Sequence, residues 1–466
     1  MKRISIWWIR RDLRLHDNLA LHTACRNFDQ LVPLFILEPE LMEKAAPKRR
    51  AFLLQALEHL NQDLHALDSR LIVRKGPALR ALRSLSKEIG NFVIHTHEDF
   101  SPFARKRDQT VIGNFDGHLH PGIVLRHPTK ILKNDGSPYT VFTPFKNKWL
   151  NQPLPTPADC LPTPKHLPPV PENLRSDTLP AADSIQCFPG TTSKAQHRLA
   201  AFTRGPIFQY QSRRDRPDLD GTSRLSPYLR FGLISAREAF AQAQIALLQT
   251  PDGQTRTEIH TWINELIWRE FYTAILYHFP HVMDGPFRSA YQAIPWRNAP
   301  KDLKAWQQGQ TGFPIVDACM RQLLETGWMH NRGRMIVASF LTKDLLINWQ
   351  QGEAWFMANL IDGDPAANNG GWQWSAGTGT DAAPYFRIFN PILQGKKHDP
   401  EGTFIARWVP ELKSLPSPYR HEPWKLSAQD SVKHDFTVGE DYPDRIVDHA
   451  FARHRTLAAY RSAREQ

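Results

Sequence analysis

The sequence predicts two architectures in one chain: an N-terminal α/β domain with a Rossmann-like parallel sheet, and an all-helical C-terminal domain, joined by a long linker. Three observations lead there. Short apolar runs alternate with helix-length amphipathic stretches through the first 128 residues, prolines crowd the stretch that follows, and from about residue 195 the apolar spacing is helical. The expected boundaries are an α/β domain over 1–128, a proline-rich linker over 129–194 and a helical domain over 195–466.

The runs "ISIWWI", "LVPLFIL", "RLIV", "FVIHT" and "GIVL" have the length and composition of strands in a parallel sheet. Between them, "KRRAFLLQALEHLNQDLHAL" has the spacing of an amphipathic helix. No G-x-G-x-x-G follows the first run; "RRDLRLHDN" stands there, so an ordinary dinucleotide fingerprint is missing. From Pro153 to Pro189, 37 residues hold 10 of the 37 prolines, too many for helices or central strands. Beyond them, "TRTEIHTWINELIWREFYTAILYHF" reads as a long helix and "TGWMHNRGRMIVASFL" as a second. Of the 14 tryptophans, 11 lie at or beyond Trp262, so the helical domain either has an unusually aromatic core or lines something flat.

At 466 residues and 41% hydrophobic, the chain has room for two or three sizeable cores. Lys+Arg 58 against Asp+Glu 47 gives a net charge of +11. An excess of that size serves either a polyanion, nucleic acid first, or solubility. Cys25, Cys160, Cys187 and Cys319 are scattered without a C-x-x-C pair, so neither a disulfide framework nor a metal site is expected. "ISIWWI" is too short to span a bilayer and "MKRISIWWIRRD" lacks a signal-peptide cleavage pattern, so a cytoplasmic chain without membrane segments is expected.

On a wheel of about 100° per residue, Trp262, Glu265, Trp268 and Arg269 share an arc of about 120°. Trp328, Asn331, Arg334 and Met335 share a similar one. Each face mixes indole with polar groups, which suits either a buried ion network or a ligand wall. The stretch "DGDPAANNGGWQW", Asp362 to Trp374, adds acids, amides and indoles, a mixture suited to a cavity whose walls are part apolar and part hydrogen-bonding. Arg269 and Arg334 are candidates to pair with Asp362 and Asp364. In "DGTSRLSPYLRFG", Gly221, Thr222 and Ser223 precede a helical run, which makes either an anion site or an ordinary N-cap.

Together "DGTSRLSPYLRFG", "WINELIWREFY", "GWMHNRGRM" and "DGDPAANNGGWQWSAGTGTDAAPYFRIFNP" resemble the signature blocks of the photolyase and cryptochrome family, most closely class I cyclobutane pyrimidine dimer DNA photolyases. The resemblance runs from "WWIRRDLRLHDN" to "DYPDRIVDHAFARHRTLAAY". It implies an α/β antenna domain and a helical domain that binds FAD, reduced in the active form, and acts as a monomer on DNA containing pyrimidine dimers. By position, Tyr210, Thr222, Ser223, Arg224, Leu225 and Ser226 would hold the phosphates and ribitol. Trp262, Glu265, Arg269, Asn331, Arg334, Asp362, Asp364 and Asn368 would surround the adenine and isoalloxazine.

The implied reaction is blue-light-driven electron transfer to a flipped-out dimer. Glu265 and Asn331 would hydrogen-bond the thymines, with Trp268, Trp374 and Met335 walling the apolar side. Arg214, Trp268, Arg332, Arg387 and Gln394 match positions that meet DNA, and Trp372, Trp349 and Trp296 match an electron relay to oxidised flavin. Gly333 departs from the leucine of close relatives; it either loosens its helix or admits a close neighbour. "HEDFSPFARKRD" lacks the glutamate of folate-binding members, and Arg105, Lys106 and Arg107 add positive charge, which favours 8-hydroxy-5-deazaflavin over folate as antenna. A cryptochrome-like photoreceptor and a (6-4) photolyase are the alternatives. The dimer-pocket residues argue against the first, as does the expected lack of a signalling tail; Asn331, where (6-4) members usually place histidine, argues against the second.

Overall fold

The structure, a computed structural model, describes residues 2–183, 185 and 187–465; both chain ends and two positions of the expected linker lie outside it. The chain divides into two compact units, Met1–Gln209 with Ser223–Pro280, and Tyr210–Thr222 with His281–Gln466. This division follows packing and cuts the chain elsewhere than the composition boundaries.

In the first unit, β1 (Ile4–Ile9), β2 (Gln30–Leu37), β3 (Ile72–Lys75), β4 (Val93–His97) and β5 (Gly117–His120) form one sheet in the order β3-β2-β1-β4-β5. All its pairs are parallel. Every residue of β1 and β2 is buried, which is why their apolar residues run on instead of alternating. The flanking helices are α1 (Leu19–Ala24), α2 (Pro47–His65), α3 (Ala78–Ile89) and α4 (Pro102–Ile112). Helix α3 buries Ala78, Ala81, Leu82 and Leu85, the i, i+3, i+4, i+7 set of one face, and stops at Gly90, whose φ of 80° a side-chain-bearing residue seldom adopts.

The fifth strand is not "GIVL". That segment is held by α5 (Gly253–His278): Arg269 Nη1 donates to Ile123 O at 2.9 Å, and the Leu125 and Arg126 N–H groups donate to the Glu270 carboxylate. Side chains thus take the place of ladder partners at Ile123 O and Leu125 N. The strand that takes the edge reads "GHLH", and an edge with solvent beside it does not require an apolar run.

Within the expected linker, Phe142–Leu150 is helical and buries Trp149 completely. From Pro153 to Pro189 the described residues form only a short 3-10 turn, Pro157–Asp159, as the proline density implies.

The second unit is helical around a core that includes Trp306, Phe356, Trp349 and Trp372. Its site-bearing elements are α6 (Pro314–Thr326), α7 (Asn331–Ser339), α8 (Trp349–Asn359) and α9 (Pro365–Ala376). "TGWMHNRGRMIVASFL" is therefore not one helix. Gly327, at φ 70°, ends α6, and the His330 side chain caps α7 by accepting from Arg332 N at 3.1 Å. Trp328 consequently leaves the expected arc for the connecting loop, while Asn331, Arg334 and Met335 remain together on α7.

Gly333 proves to be a point of close approach between α6 and α7. A Cβ there would meet Cys319 Sγ at 2.8 Å and Met329 Cγ at 3.2 Å. Alanine gains up to about 1 kcal/mol in helix propensity, whereas overpacking costs about 1–3 kcal/mol. Gly333→Ala is therefore expected to destabilise the protein, and Cys319→Ala to recover part of the loss in the double variant. Urea midpoints of the singles and the double check this; strictly additive effects would rule out the contact as the cause. No described helix is long and apolar enough to cross a membrane.

Candidate active site

Helix α5 carries one group of expected site residues within the first unit. Its N-cap is Asp252, whose side chain accepts from Thr255 N at 2.8 Å, and 26 residues of regular helix keep the predicted face in register. Trp262 is buried against Phe202, with ring centroids 5.3 Å apart, while Glu265, Trp268 and Arg269 are only partly covered. Phe142 stacks on Trp268 at 3.7 Å with an interplanar angle of 5°, so one face of that indole is fixed by a residue the sequence reading missed. Glu270 holds the same helix to the 123–126 segment and also accepts from Trp149 Nε1 at 2.6 Å; burial pushes its carboxyl up despite these donors.

The turn expected to hold phosphates spans the division between the units. In the first unit, Ser223, Arg224 and Leu225 lead into the short helix Ser226–Phe231, with Arg224 at φ 48°, a strained value for a residue with a side chain. The helix docks on "RRDLRLHDN", the segment without a dinucleotide fingerprint. Arg14 Nη1 donates to Gly232 O at 2.9 Å, Leu13 N donates to Phe231 O at 3.2 Å, and a Cβ on Gly232 would stand 2.0 Å from Arg11 O. The loop after β1 thus positions the turn.

Within the second unit, Arg334 Nη2 donates to Asp362 Oδ2 at 2.7 Å and its Nε to Met329 O at 2.9 Å. Asp364 is the N-cap of α9 and accepts from Ala366 N at 3.0 Å and Ala367 N at 3.3 Å. Asn331 Nδ2 lies 3.8 Å from Met335 Sδ, one turn along α7, so two expected lesion contacts share a face with Arg334. Trp374 lies part-covered on α9. Tyr210 and Thr222 belong to the same unit.

Asn368 Nδ2 donates to Glu353 O at 3.0 Å, and Asn369 Nδ2 to Glu353 Oε1 at 3.1 Å. Burial pushes Glu353 up to about 7, with Asn369 opposing. The folded carboxyl therefore binds its proton more tightly than the unfolded one, and its contribution to stability falls as pH rises from the ordinary carboxylate range to about 7. Glu353→Gln is expected to remove that slope, gaining on the order of 2 kcal/mol at about pH 8 relative to pH 5. Denaturant midpoints at the two pH values test this, and an unchanged slope would assign the effect to other carboxyls.

Trp372 and Trp349 are buried in one core, and Trp296 packs against it. Trp372 meets Trp306 edge-on at 6.0 Å and Phe356 at 5.0 Å. Gly352 makes room for it: a Cβ there would stand 2.1 Å from Trp372 Cη2. Near the surface, Arg332 Nη2 pairs with Asp215 at 2.5 Å, Arg214 Nε lies 4.0 Å from the same carboxylate, and Arg387 is exposed beside Phe386. Gln394 Oε1 is buried without a partner among the described residues. Asp215 was not foreseen; its carboxyl is held low by Arg332, which outweighs its burial.

In "HEDFSPFARKRD", Ser101 caps α4. Its cations are less available than the sequence suggests. Arg107 pairs with Glu38 at 2.9 Å and Asp108 at 3.1 Å, and Arg105 donates to Tyr277 O at 3.0 Å with its guanidinium 4.2 Å from the Tyr277 ring. Lys106 is exposed.

One observation tests the fit of these residues to FAD. Asp362 Oδ1 is buried and has no partner among the described residues, while its other oxygen is held by Arg334. An aimed acceptor of this kind suits an N–H donor of a bound heterocycle.

The description "DNA photolyase" matches residues 5–165, and "FAD binding domain of DNA photolyase" matches 262–462. Deoxyribodipyrimidine photo-lyases of a Synechococcus species and of Escherichia coli are 41% and 40% identical, over 98% of this chain and 96% and 98% of theirs. A bacterial class III photolyase from Agrobacterium tumefaciens superposes with a TM-score of 0.93 at 35% identity, covering 100% of this chain and 98% of that one. A cryptochrome of a Synechocystis species gives 0.88 at 28% identity, covering 99% and 100%. Similarity of this extent reaches through the sheet, the linker and the helices that carry the site, and by it the chain belongs to the DNA photolyase family.

Proposed function

We propose that this protein is a deoxyribodipyrimidine photo-lyase, which splits cyclobutane pyrimidine dimers in DNA under blue light. The observation that carries the reading is α7. Along one face it presents Asn331 and Met335 for a base and Arg334 paired to Asp362 for a flavin, so one rigid element serves substrate and cofactor.

FAD would be held by Tyr210, Thr222, Ser223, Arg224, Leu225 and Ser226 at its phosphates and ribitol, and by Trp262, Glu265, Arg269, Asn331, Arg334, Asp362, Asp364 and Asn368 around its rings. Bound and reduced, FAD would supply the light-driven one-electron chemistry that opens the cyclobutane ring. Asn331 donates to a thymine carbonyl and Glu265 accepts from a ring N–H, which orients the dimer and stabilises charge that develops on it. Trp268, Trp374 and Met335 exclude water from its apolar side. Trp296, Trp349 and Trp372 pass electrons inward when the flavin is oxidised.

Arg214, Arg332, Arg387 and Gln394 engage the lesion strand, and Trp268 meets the dimer itself. Contacts to phosphate give salt-dependent affinity without reading sequence, which suits damage that arises anywhere. The net charge of +11 favours such a partner. The dimer must leave the stack, and its poor pairing lowers that cost. On this reading the enzyme acts in the cytoplasm and as a monomer.

For the antenna we favour 8-hydroxy-5-deazaflavin over folate. The turn at Ser101, Pro102 and Phe103 lacks the glutamate of folate-binding members and leaves Phe103 exposed, near the carboxyl ends of the strands where doubly wound sheets bind ligands.

Dimer-containing DNA incubated with purified protein in blue light and in darkness tests the function: dimers are expected to disappear only in light. Equal loss in darkness, or repair of (6-4) products alone, would refute it. Reconstituted separately with the two chromophores, the protein is expected to retain deazaflavin through gel filtration; retention of folate alone overturns the antenna reading.

A further inference from the structure

The sheet edge opposite β3 carries an unusual concentration of imidazole. In the parallel register of β4 and β5, His95 lies beside His118 and His97 beside His120, so all four side chains leave the same face. His97 is engaged elsewhere, with Nδ1 3.1 Å from Asp12 Oδ2 and the backbone of Gly122 packed over its ring. The other three cluster. His95 and His118 stack with centroids 5.2 Å apart, His95 and His120 with centroids 5.3 Å apart, and His118 and His120 are separated by 6.3 Å.

Two features of this cluster are costly as mere packing. His95 is 2% exposed, and its Nε2 has no hydrogen-bond partner among the described residues. Its Nδ1 faces His120 Nε2 at 3.0 Å, so among the described residues the close partner of that nitrogen is another imidazole. A buried polar ring so poorly satisfied is a group an apolar residue would replace without loss.

We infer that His95, His118 and His120 form a binding site for one divalent transition-metal ion of the zinc type. Two imidazole nitrogens on a tetrahedral zinc at about 2.0–2.1 Å stand about 3.3 Å apart, and the His95–His120 pair is within a few tenths of that spacing. An ion between them takes the lone pairs that one N–H now bridges, after a shift of tautomer with no net loss of a proton. No three donors already converge on a point among the described residues, so His118 must turn inward. It is exposed and on the edge strand, which leaves its side chain room to do so. Imidazole donors suit zinc, nickel and copper and disfavour magnesium and calcium. Bound, the ion ties β5, which has a partner on one side only, to β4.

Calorimetric titration of the chelator-stripped, flavin-loaded full chain with zinc chloride alone is expected to show one site. Replacing His118 and His120 together by alanine is expected to weaken it at least about tenfold. Nitrogen-15 imidazole spectra of the unaltered protein are expected to show the His95, His118 and His120 signals moving with zinc. Absence of binding, equal affinity in the double variant, or movement confined to other histidines overturns the site. If the double variant loses its flavin or its fold, the exposed His118→Ala alone decides: weakened affinity supports the site, unchanged affinity overturns it.

Discussion

Trp372→Phe is expected to slow photoreduction of oxidised flavin by roughly a hundredfold, while light-driven repair by chemically reduced protein stays nearly unchanged. The two readouts separate because Trp372 is walled off from solvent in the core of the second unit, against Phe356 and Trp306, and Gly352 leaves the space its ring needs. Phenylalanine fills most of that volume, and Trp372 Nε1 has no partner among the described residues to lose, so the packing cost is small. What disappears is an easily oxidised indole at the head of the proposed relay. Absorbance of the flavin under illumination with an external reductant measures the first readout, and dimer counting after dithionite reduction the second. Photoreduction at the normal rate would mean that electrons enter by another route, for which Trp306, 6.0 Å away, is the first residue to test.

The sequence was most legible where one physical signal dominated. β1 and β2 are continuous apolar runs, and α5 is a long amphipathic helix; each formed where its pattern placed it. The pairing of Arg334 with Asp362 followed from the need of a buried acid for a cation, whereas the capping role of Asp364 was not read from the sequence. The failures came where distant contacts overrode local pattern. "GIVL" looks like a strand until Arg269 and Glu270, some 145 residues on, take up Ile123 O and Leu125 N. "GHLH" does not look like a strand until the sheet edge is known to be there. Gly327 and His330 did carry signals, a helix stop and a helix start, but the apolar spacing around them masked both. Asp215, Phe142 and Gly352 matter only through what they touch, which no periodicity encodes.

Glu265→Ala is expected to lower repair by about tenfold to a hundredfold, the loss set by one hydrogen bond to a group that becomes charged, with much less effect on flavin retention. The residue sits on α5 at a partly covered position, one turn from Trp262 and Trp268 and held in register by a helix whose other side is anchored through Glu270. Truncation therefore removes the carboxylate without disturbing the helix, and alanine is the best helix former available. The thymine N–H that Glu265 would accept from is left without a partner inside a pocket poor in water, so the dimer is held less firmly and the returning electron competes with a more mobile substrate. The flavin keeps Arg334, Asp362 and Asn368, none of which depends on Glu265 for its own hydrogen bonds. Glu265→Gln, which keeps an acceptor oxygen, is expected to fall between the two. Flavin content by absorbance and repair per photon by dimer counting, taken on the same samples, distinguish the outcomes. A variant that merely loses FAD, with normal repair by the fraction that retains it, would leave Glu265 a role toward the cofactor alone.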